Sequence, residues 1–259
     1  MPEWIAVICL GIIEGVTEFL PVSSTGHLLL AQQWLPRQPK LFTVVVQSGA
    51  VLAVILIFGK RLRQMFVKWR EPATRDYLFK LIASFVITGI GGLLLKKFDF
   101  ELPDTVAPVA GATLLGGVFF LVVEQWLQKR PLSDQVTWRI AAAVALAQLL
   151  AAVFPGTSRS GATILVALLL GLNRPAATEF SFLLGIPTLL SAAALQTVSE
   201  LRQPSGEPID WSMVLLGSAV AALTAFAVVK WLLRFVQSHT FVGFAWYRII
   251  LGILILLMA

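Results

Sequence analysis

Long apolar runs separated by short polar stretches dominate the chain. Runs at about 41–58, 81–97, 106–127, 176–198, 211–233 and 242–259 approach the ~20 apolar residues needed to cross ~30 Å of hydrocarbon. The pattern predicts six transmembrane helices. Two further stretches, 1–35 and 139–173, are also apolar but are broken near their middles by Pro, Gly, Ser and Thr, and each half is too short to span. Non-helical backbone at membrane depth is tolerated only where protein or a wet cavity surrounds it. Both stretches are therefore expected to be re-entrant helical hairpins whose tips meet near the midplane.

Charge orients these elements. A loop expected from Gly59 to Lys80 carries Lys60, Arg61, Arg63, Lys68, Arg70, Arg75 and Lys80 against Glu71 and Asp76, which marks it as cytoplasmic by the positive-inside rule. Counting spans outward puts Lys129, Arg130 and Arg139, and then Lys230 and Arg234, on the same side. The turn around Asp99, Glu101 and Asp104 and the turn around Glu200, Glu207 and Asp210 fall opposite, whereas Arg37 and Lys40 fit the rule less well. The order is hairpin plus three spans, twice, with the second copy inverted. The expected fold is thus an all-α polytopic membrane protein with six transmembrane helices and two re-entrant hairpins. It forms one integral membrane domain, 1–259, built from an inverted-topology repeat of 1–128 and 138–259.

Composition agrees: of 259 residues, 58% are hydrophobic and 13% charged, about half the roughly 25% charged of a soluble domain. The net charge of +6 does not point to nucleic acid, because the basic residues sit where topology already explains them. A single cysteine, Cys9, rules out an intramolecular disulfide or a cysteine-rich metal site and reads as a small buried core residue. The N-terminal apolar run has no basic flank and carries Glu14 and Glu18, so it is expected to be retained rather than cleaved as a signal peptide.

Chemistry concentrates at the two tips. In GIIEGVTEF, Glu14 and Glu18 are four residues apart, so on a helix both carboxylates project from one face. They either hydrogen-bond to neighbouring helices or serve metal binding or proton transfer, which is the default for ionisable groups within a membrane. Oxygen ligands suit Mg²⁺ or Ca²⁺, and one or two carboxylates plus substrate phosphates is the usual Mg²⁺ arrangement. Next, in PVSSTGH, Ser23, Ser24 and Thr25 precede Gly26 and an apolar run. One of these hydroxyls should cap the second half-helix, whose free N–H groups form an anion site. His27 is either a satisfied structural donor or, beside two carboxylates and two serines, a general acid, a base or a nucleophile.

At the other tip, PGTSRSGAT places Arg159 among Thr157, Ser158, Ser160 and Gly161. A bidentate guanidinium and a Gly/Ser-rich helix start both favour phosphate oxygens. The competing reading is a salt bridge from Arg159 to Glu14 or Glu18, which would also describe an empty site. Glu179, Gln148 and Arg174 are lesser candidates.

EGVTEFLPVSSTGH and PGTSRSGAT, in this order and spacing, resemble the signatures of the bacterial undecaprenyl-diphosphate phosphatase family, which is linked to bacitracin resistance. The resemblance extends over essentially the whole chain and includes EFSFLLGIP. It implies hydrolysis of undecaprenyl diphosphate to undecaprenyl phosphate and inorganic phosphate, recycling the lipid carrier for peptidoglycan synthesis in the bacterial plasma (inner) membrane. Arg159 and the half-helix starts at Ser23, Thr25, Gly26, Thr157, Ser158 and Ser160 would then hold the diphosphate. Glu14 and Glu18 would bind Mg²⁺, with Ca²⁺ as the alternative, and Ser24 would attack phosphorus with His27 assisting by proton transfer. A phosphohistidine intermediate, or a water activated by a glutamate, fits the same letters. Loop charges place the opening on the periplasmic side. Expected partners are the polyprenyl diphosphate and membrane lipid; the pattern is compatible with a homodimer.

Two other readings compete. Type 2 phosphatidic acid phosphatases also use Ser-Gly-His and Ser-Arg elements, but their later histidine and aspartate have no match here, His239 being the only other histidine. A polyprenyl-phosphate transporter or flippase would share the inverted repeat and broken helices, though only hydrolysis requires a nucleophile or activated water beside the phosphate.

Overall fold

A computed structural model describes residues 2–98, 100, 105–202 and 209–258. Apart from one isolated bridge between Ser133 and Leu172, regular structure among them is helical. The chain runs through α1 (Glu3–Thr17), α2 (Ser24–Ala31), α3 (Lys40–Ile57), α4 (Gly59–Val67), α5 (Pro72–Lys97), α6 (Val106–Leu127), α7 (Trp138–Val153), α8 (Arg159–Leu169), α9 (Arg174–Arg202), α10 (Trp211–Phe235) and α11 (Val242–Leu257). The expected breaks are present. The chain leaves α1 just before Pro21 and leaves α7 just before Pro155-Gly156, and each short second helix restarts after a serine.

Helices α5, α6, α9 and α10 are long and apolar enough to cross a membrane. Helices α3 and α4 form a pair bent by 66°, and α11 has 16 residues, about 24 Å at ~1.5 Å per residue. Large apolar side chains such as Leu56, Ile90, Phe119, Val122 and Leu223 face outward and are exposed, an apolar surface far larger than a water-soluble monomer carries. The molecule is a multi-pass membrane protein.

One expectation is corrected. The stretch from Gly59 to Lys80 is not a loop: α4 and the first turns of α5 occupy most of it. Its charges sit on amphipathic helix, with Met65 buried while Lys60, Arg61 and Arg63 are turned outward or only partly covered. Pro72 opens α5 at a position where its missing N–H costs nothing. Lys80, buried, is paired with Asp76 one turn earlier. Of the acidic turns, Asp99, Glu101, Asp104 and Glu207 lie outside the described residues, while Asp210 caps α10 by accepting from the N–H groups of Ser212 and Met213. Cys9 is only half-buried.

Packing follows small residues and buried apolar faces. Helix α1 lies on α10 so closely that a Cβ at Gly15 would stand 2.6 Å from the Ala221 carbonyl, and one at Gly11 2.8 Å from that of Gly217; small residues four apart permit such approach in membranes. Helix α6 packs on α11, α3 on α9 and α10, and α5 on α7 and α9. The short α2 touches α6 and α11, and α8 touches α6 and α9, so both half-helices pack on protein, α8 being largely buried and α2 partly so. Phe19, Phe180, Phe182, Val46, Val54 and Leu184 form part of the buried core beside them.

Candidate active site

The two tips are built alike. Ser23, before α2, has φ 73° and accepts a hydrogen bond from the Gly26 N–H at 3.2 Å. Ser158, before α8, has φ 67° and accepts from the Gly161 N–H at 3.1 Å. Positive φ is uncommon for a side-chain-bearing residue, and among the described residues these are the two non-glycine examples. Each costs of order 1–3 kcal/mol and persists where surrounding structure enforces it. In this shared frame Ser24 and Arg159 occupy the same position, one residue past the cap. The first N–H groups of a helix have no acceptor within it, so the starts of α2 and α8 both offer free donors there.

The tips meet across a cavity of about 180 Å³ lined by Glu18, Ser24 and Thr25 from the first hairpin and by Gly156, Ser158 and Arg159 from the second, with Gln47, Ala151 and Leu189 closing it. This is smaller than the ~300–1,000 Å³ of pockets that enclose whole drug-sized ligands, so it suits a headgroup rather than a complete lipid. Ser24 Oγ donates to Glu18 Oε2 at 3.3 Å. Arg159 Nη2 donates to Glu18 Oε1 at 3.4 Å, a long contact that matches the competing expectation of a salt bridge from Arg159 to a glutamate of the first tip. The Arg159 Nε and Nη1 atoms are buried without a partner, and the guanidinium lies 5.5 Å from the centre of the Phe19 ring. Buried polar atoms are normally satisfied, and these two nitrogens are exceptions.

Not every expected residue lines that cavity. Glu14 lies one turn before Glu18, 1% exposed, with the Gln47 side chain beside it but no hydrogen bond of normal geometry to either carboxylate oxygen. His27 turns toward α11: its Nδ1 lies 2.7 Å from the Ser23 carbonyl and its Nε2 2.6 Å from the Tyr247 hydroxyl, with the rings stacked. Ser160 bridges the hairpins by donating to the Leu20 carbonyl at 3.0 Å. Gly26 offers its N–H to Ser23, and Thr157 offers its carbonyl to Arg248. Glu179 pairs with Arg61 at 2.9 Å, Arg174 with Glu124, and Gln148 donates to Thr88 at 3.0 Å. A larger cavity, about 760 Å³, lies among Arg61, Tyr77, Lys80, Asp134 and Glu179. Ion pairs there already satisfy Arg61 and Lys80, and it holds none of the tip residues, so the smaller cavity is the better candidate.

Sequence reasoning missed Arg248 and Thr113. Thr113 Oγ1 stands 3.3 Å from Ser23 Oγ and 3.2 Å from the Gly156 carbonyl. Arg248 is 0% exposed in α11 and donates to backbone carbonyls of both tips. Its signal was present, since an arginine inside AWYRIILGILIL is an ionisable group at membrane depth.

Fold and cavity together define an integral membrane protein in which two broken hairpins bring a hydroxyl, a carboxylate and a guanidinium with two unpartnered nitrogens to one buried point. The chain belongs to the family described as bacitracin resistance protein BacA, which matches residues 7–254. It is similar over nearly its whole length to proteins named undecaprenyl-diphosphatase. That of Rhizobium etli is 49% identical over 255 residues, 98% of this chain and 96% of the relative. Those of Xanthomonas euvesicatoria and Xylella fastidiosa are each 46% identical, covering 99% of this chain and 97% and 98% of the relatives.

Proposed function

We propose that the chain is an undecaprenyl-diphosphatase: it hydrolyses undecaprenyl diphosphate to undecaprenyl phosphate and inorganic phosphate, returning the lipid carrier to cell-wall synthesis. The names of its relatives and its family membership support the reaction. The observation that carries the chemistry is that Ser24 and Arg159, from opposite tips, face one cavity with Glu18 between them.

Arg159 Nε and Nη1 are donors without partners, and an incoming phosphate that displaces the long Nη2 contact to Glu18 gains a parallel pair of N–H groups, the geometry of bidentate recognition. Ser24 Oγ attacks the terminal phosphorus while its proton passes to Glu18 Oε2, to which it is already hydrogen-bonded. The bridging P–O bond breaks and undecaprenyl phosphate leaves. Water then attacks the phosphoserine, releasing inorganic phosphate and restoring Ser24. Fixed donors around the transferring group carry most of the catalytic effect in such reactions. His27 assists by proton transfer, which requires its contact with the Ser23 carbonyl to open.

A divalent cation fits this donor set. The orphaned Glu14 oxygens and Glu18 would hold Mg²⁺, with Ca²⁺ as the alternative. Among the described residues no group of three or more His, Cys, Asp or Glu forms a metal cluster, so phosphate and water oxygens would have to supply the remaining ligands, as is common for Mg²⁺. When bound, the cation offsets charge on the diphosphate.

The topology we propose is six crossings plus two re-entrant hairpins in an inverted repeat, 1–128 and 138–259, with the site opening to the periplasm. Matched caps at Ser23 and Ser158 support it. So does the packing: exchanging the halves turns the α1–α10 contact into α7–α5, α3–α10 into α9–α5, and α2–α11 into α8–α6, all of them observed. Acidic Asp210 and the basic α4 lie at opposite ends of that scheme.

The test is phosphate release from undecaprenyl diphosphate by purified protein in detergent, with Mg²⁺ or with chelator. Release should require the cation, fall at least about 10³-fold in Ser24→Ala and fall about 10²- to 10³-fold in Arg159→Ala. No release from correctly folded wild type would refute the enzymatic reading.

A further inference from the structure

Interrupting two hairpins inside a membrane frees backbone carbonyls that have neither a helical donor nor water to bond. Those of Pro21, Gly156 and Thr157 are freed in this way at the tips. One side chain meets all three. Arg248 donates from Nη1 to Pro21 at 3.2 Å, and from Nη2 to Gly156 at 3.3 Å and Thr157 at 3.0 Å. It also bonds the Ala112 and Thr113 carbonyls of α6 at 3.2 and 3.1 Å.

The surroundings reserve space for this guanidinium. A Cβ at Gly116 would stand 2.0 Å from Nη2, and one at Gly161 2.9 Å from Nη1. No carboxylate pairs with Arg248 among the described residues, so its charge faces carbonyl dipoles alone. A cation so placed is expensive at membrane depth. What it provides that a neutral or single-point donor cannot is a rigid planar fork reaching both hairpins at once from a third helix.

We propose that Arg248 is a positioning residue for the reaction: it fixes the separation and register of the two tips so that Ser24 and Arg159 converge on one phosphoryl group. Pro21 lies three residues before Ser24, and Thr157 two before Arg159, so a shift of either tip moves the reacting group directly. Arg248 does not line the headgroup cavity. Its loss therefore acts on the alignment of attack more than on the capture of substrate, and an error of about 1 Å suffices for a large effect.

This proposal rests on the hydrolytic reading above, and wild-type turnover in the same assay separates the two: without it the reading fails, and with it only Arg248 is in question. Initial rates against undecaprenyl diphosphate concentration are compared for wild type, Arg248→Lys and Arg248→Gln, alongside thermal melting and monodispersity in detergent. Both variants should stay folded, lose at least about tenfold in kcat and keep KM within about threefold, with lysine giving no rescue because it lacks the fork. If they fail to fold, Gly116→Ala keeps the arginine but displaces its Nη2, and should show the same kcat-selective loss. The proposal is overturned by a kcat within twofold of wild type in Arg248→Lys or Arg248→Gln. It is equally overturned by a rise in KM at unchanged kcat, or by loss of folded protein in all three variants.

Discussion

Replacing Gly185 by alanine separates the headgroup of Arg159 from the stability of the fold. A Cβ built on Gly185 stands 2.5 Å from Arg159 Nη1, 3.1 Å from Cζ and 3.2 Å from Nη2, where unstrained contact begins near 3.5 Å. The guanidinium must withdraw by about 1 Å. Because the obstructing atoms are the far end of a flexible side chain, the backbone can stay in place. Exchanging glycine for alanine in the interior of α9 also favours the helix by about 0.5–1 kcal/mol. Misplacing a catalytic group by about 1 Å costs roughly 10²-fold, or about 2.7 kcal/mol at ~1.36 kcal/mol per decade. The assay is kcat/KM for phosphate release from undecaprenyl diphosphate, with the melting temperature measured on the same preparation. A value within threefold of wild type would show that this position of Arg159 does not matter, and a loss accompanied by a clear fall in melting temperature would show that α9 packing, not the guanidinium, had been damaged.

Two further perturbations probe the frame around the site. Glu124 is 2% exposed and accepts from Arg174 and from the Phe241 N–H at 2.8 Å. Glu124→Ala should lower stability to denaturant by about 3 kcal/mol, the lower end for a broken buried pair because Arg174 keeps some solvent contact; a loss under about 1 kcal/mol contradicts this. Gly156 has φ +91°, and a Cβ there would stand 2.3 Å from the Val109 carbonyl. Gly156→Ala therefore meets both the left-handed penalty of about 1–2 kcal/mol and backbone that cannot yield, so folded yield and phosphate release should both fall sharply; normal activity would show that the second tip tolerates another turn.

The hairpins were legible because their punctuation is local: Pro21 with three following hydroxyls, and Pro155-Gly156 with Ser158, announce a stop and a capped restart. The convergence of Ser24, Glu18 and Arg159 followed from the expense of leaving each alone in lipid. The charged stretch after Gly59 was misread because seven basic residues resemble a loop, whereas Met65 and a buried Lys80 paired to Asp76 make it helix. Arg248 was hidden by averaging, since one arginine barely lowers the apolarity of the run from 242 to 259. The direction of His27 was not readable at all, because it depends on Tyr247, 220 residues away in sequence.

The carbonyl-bound arginine also bears on biogenesis. A helix such as α11 carrying an unmatched arginine near its centre inserts at a penalty of about 2.5–3.5 kcal/mol, and lipid offers that cation nothing in return. Its acceptors lie on α6 and on both tips, all of which emerge from the ribosome earlier. The α11 segment is therefore made after every group that can accept from its arginine, and those acceptors lie on α6 and the two tips rather than on α11 itself.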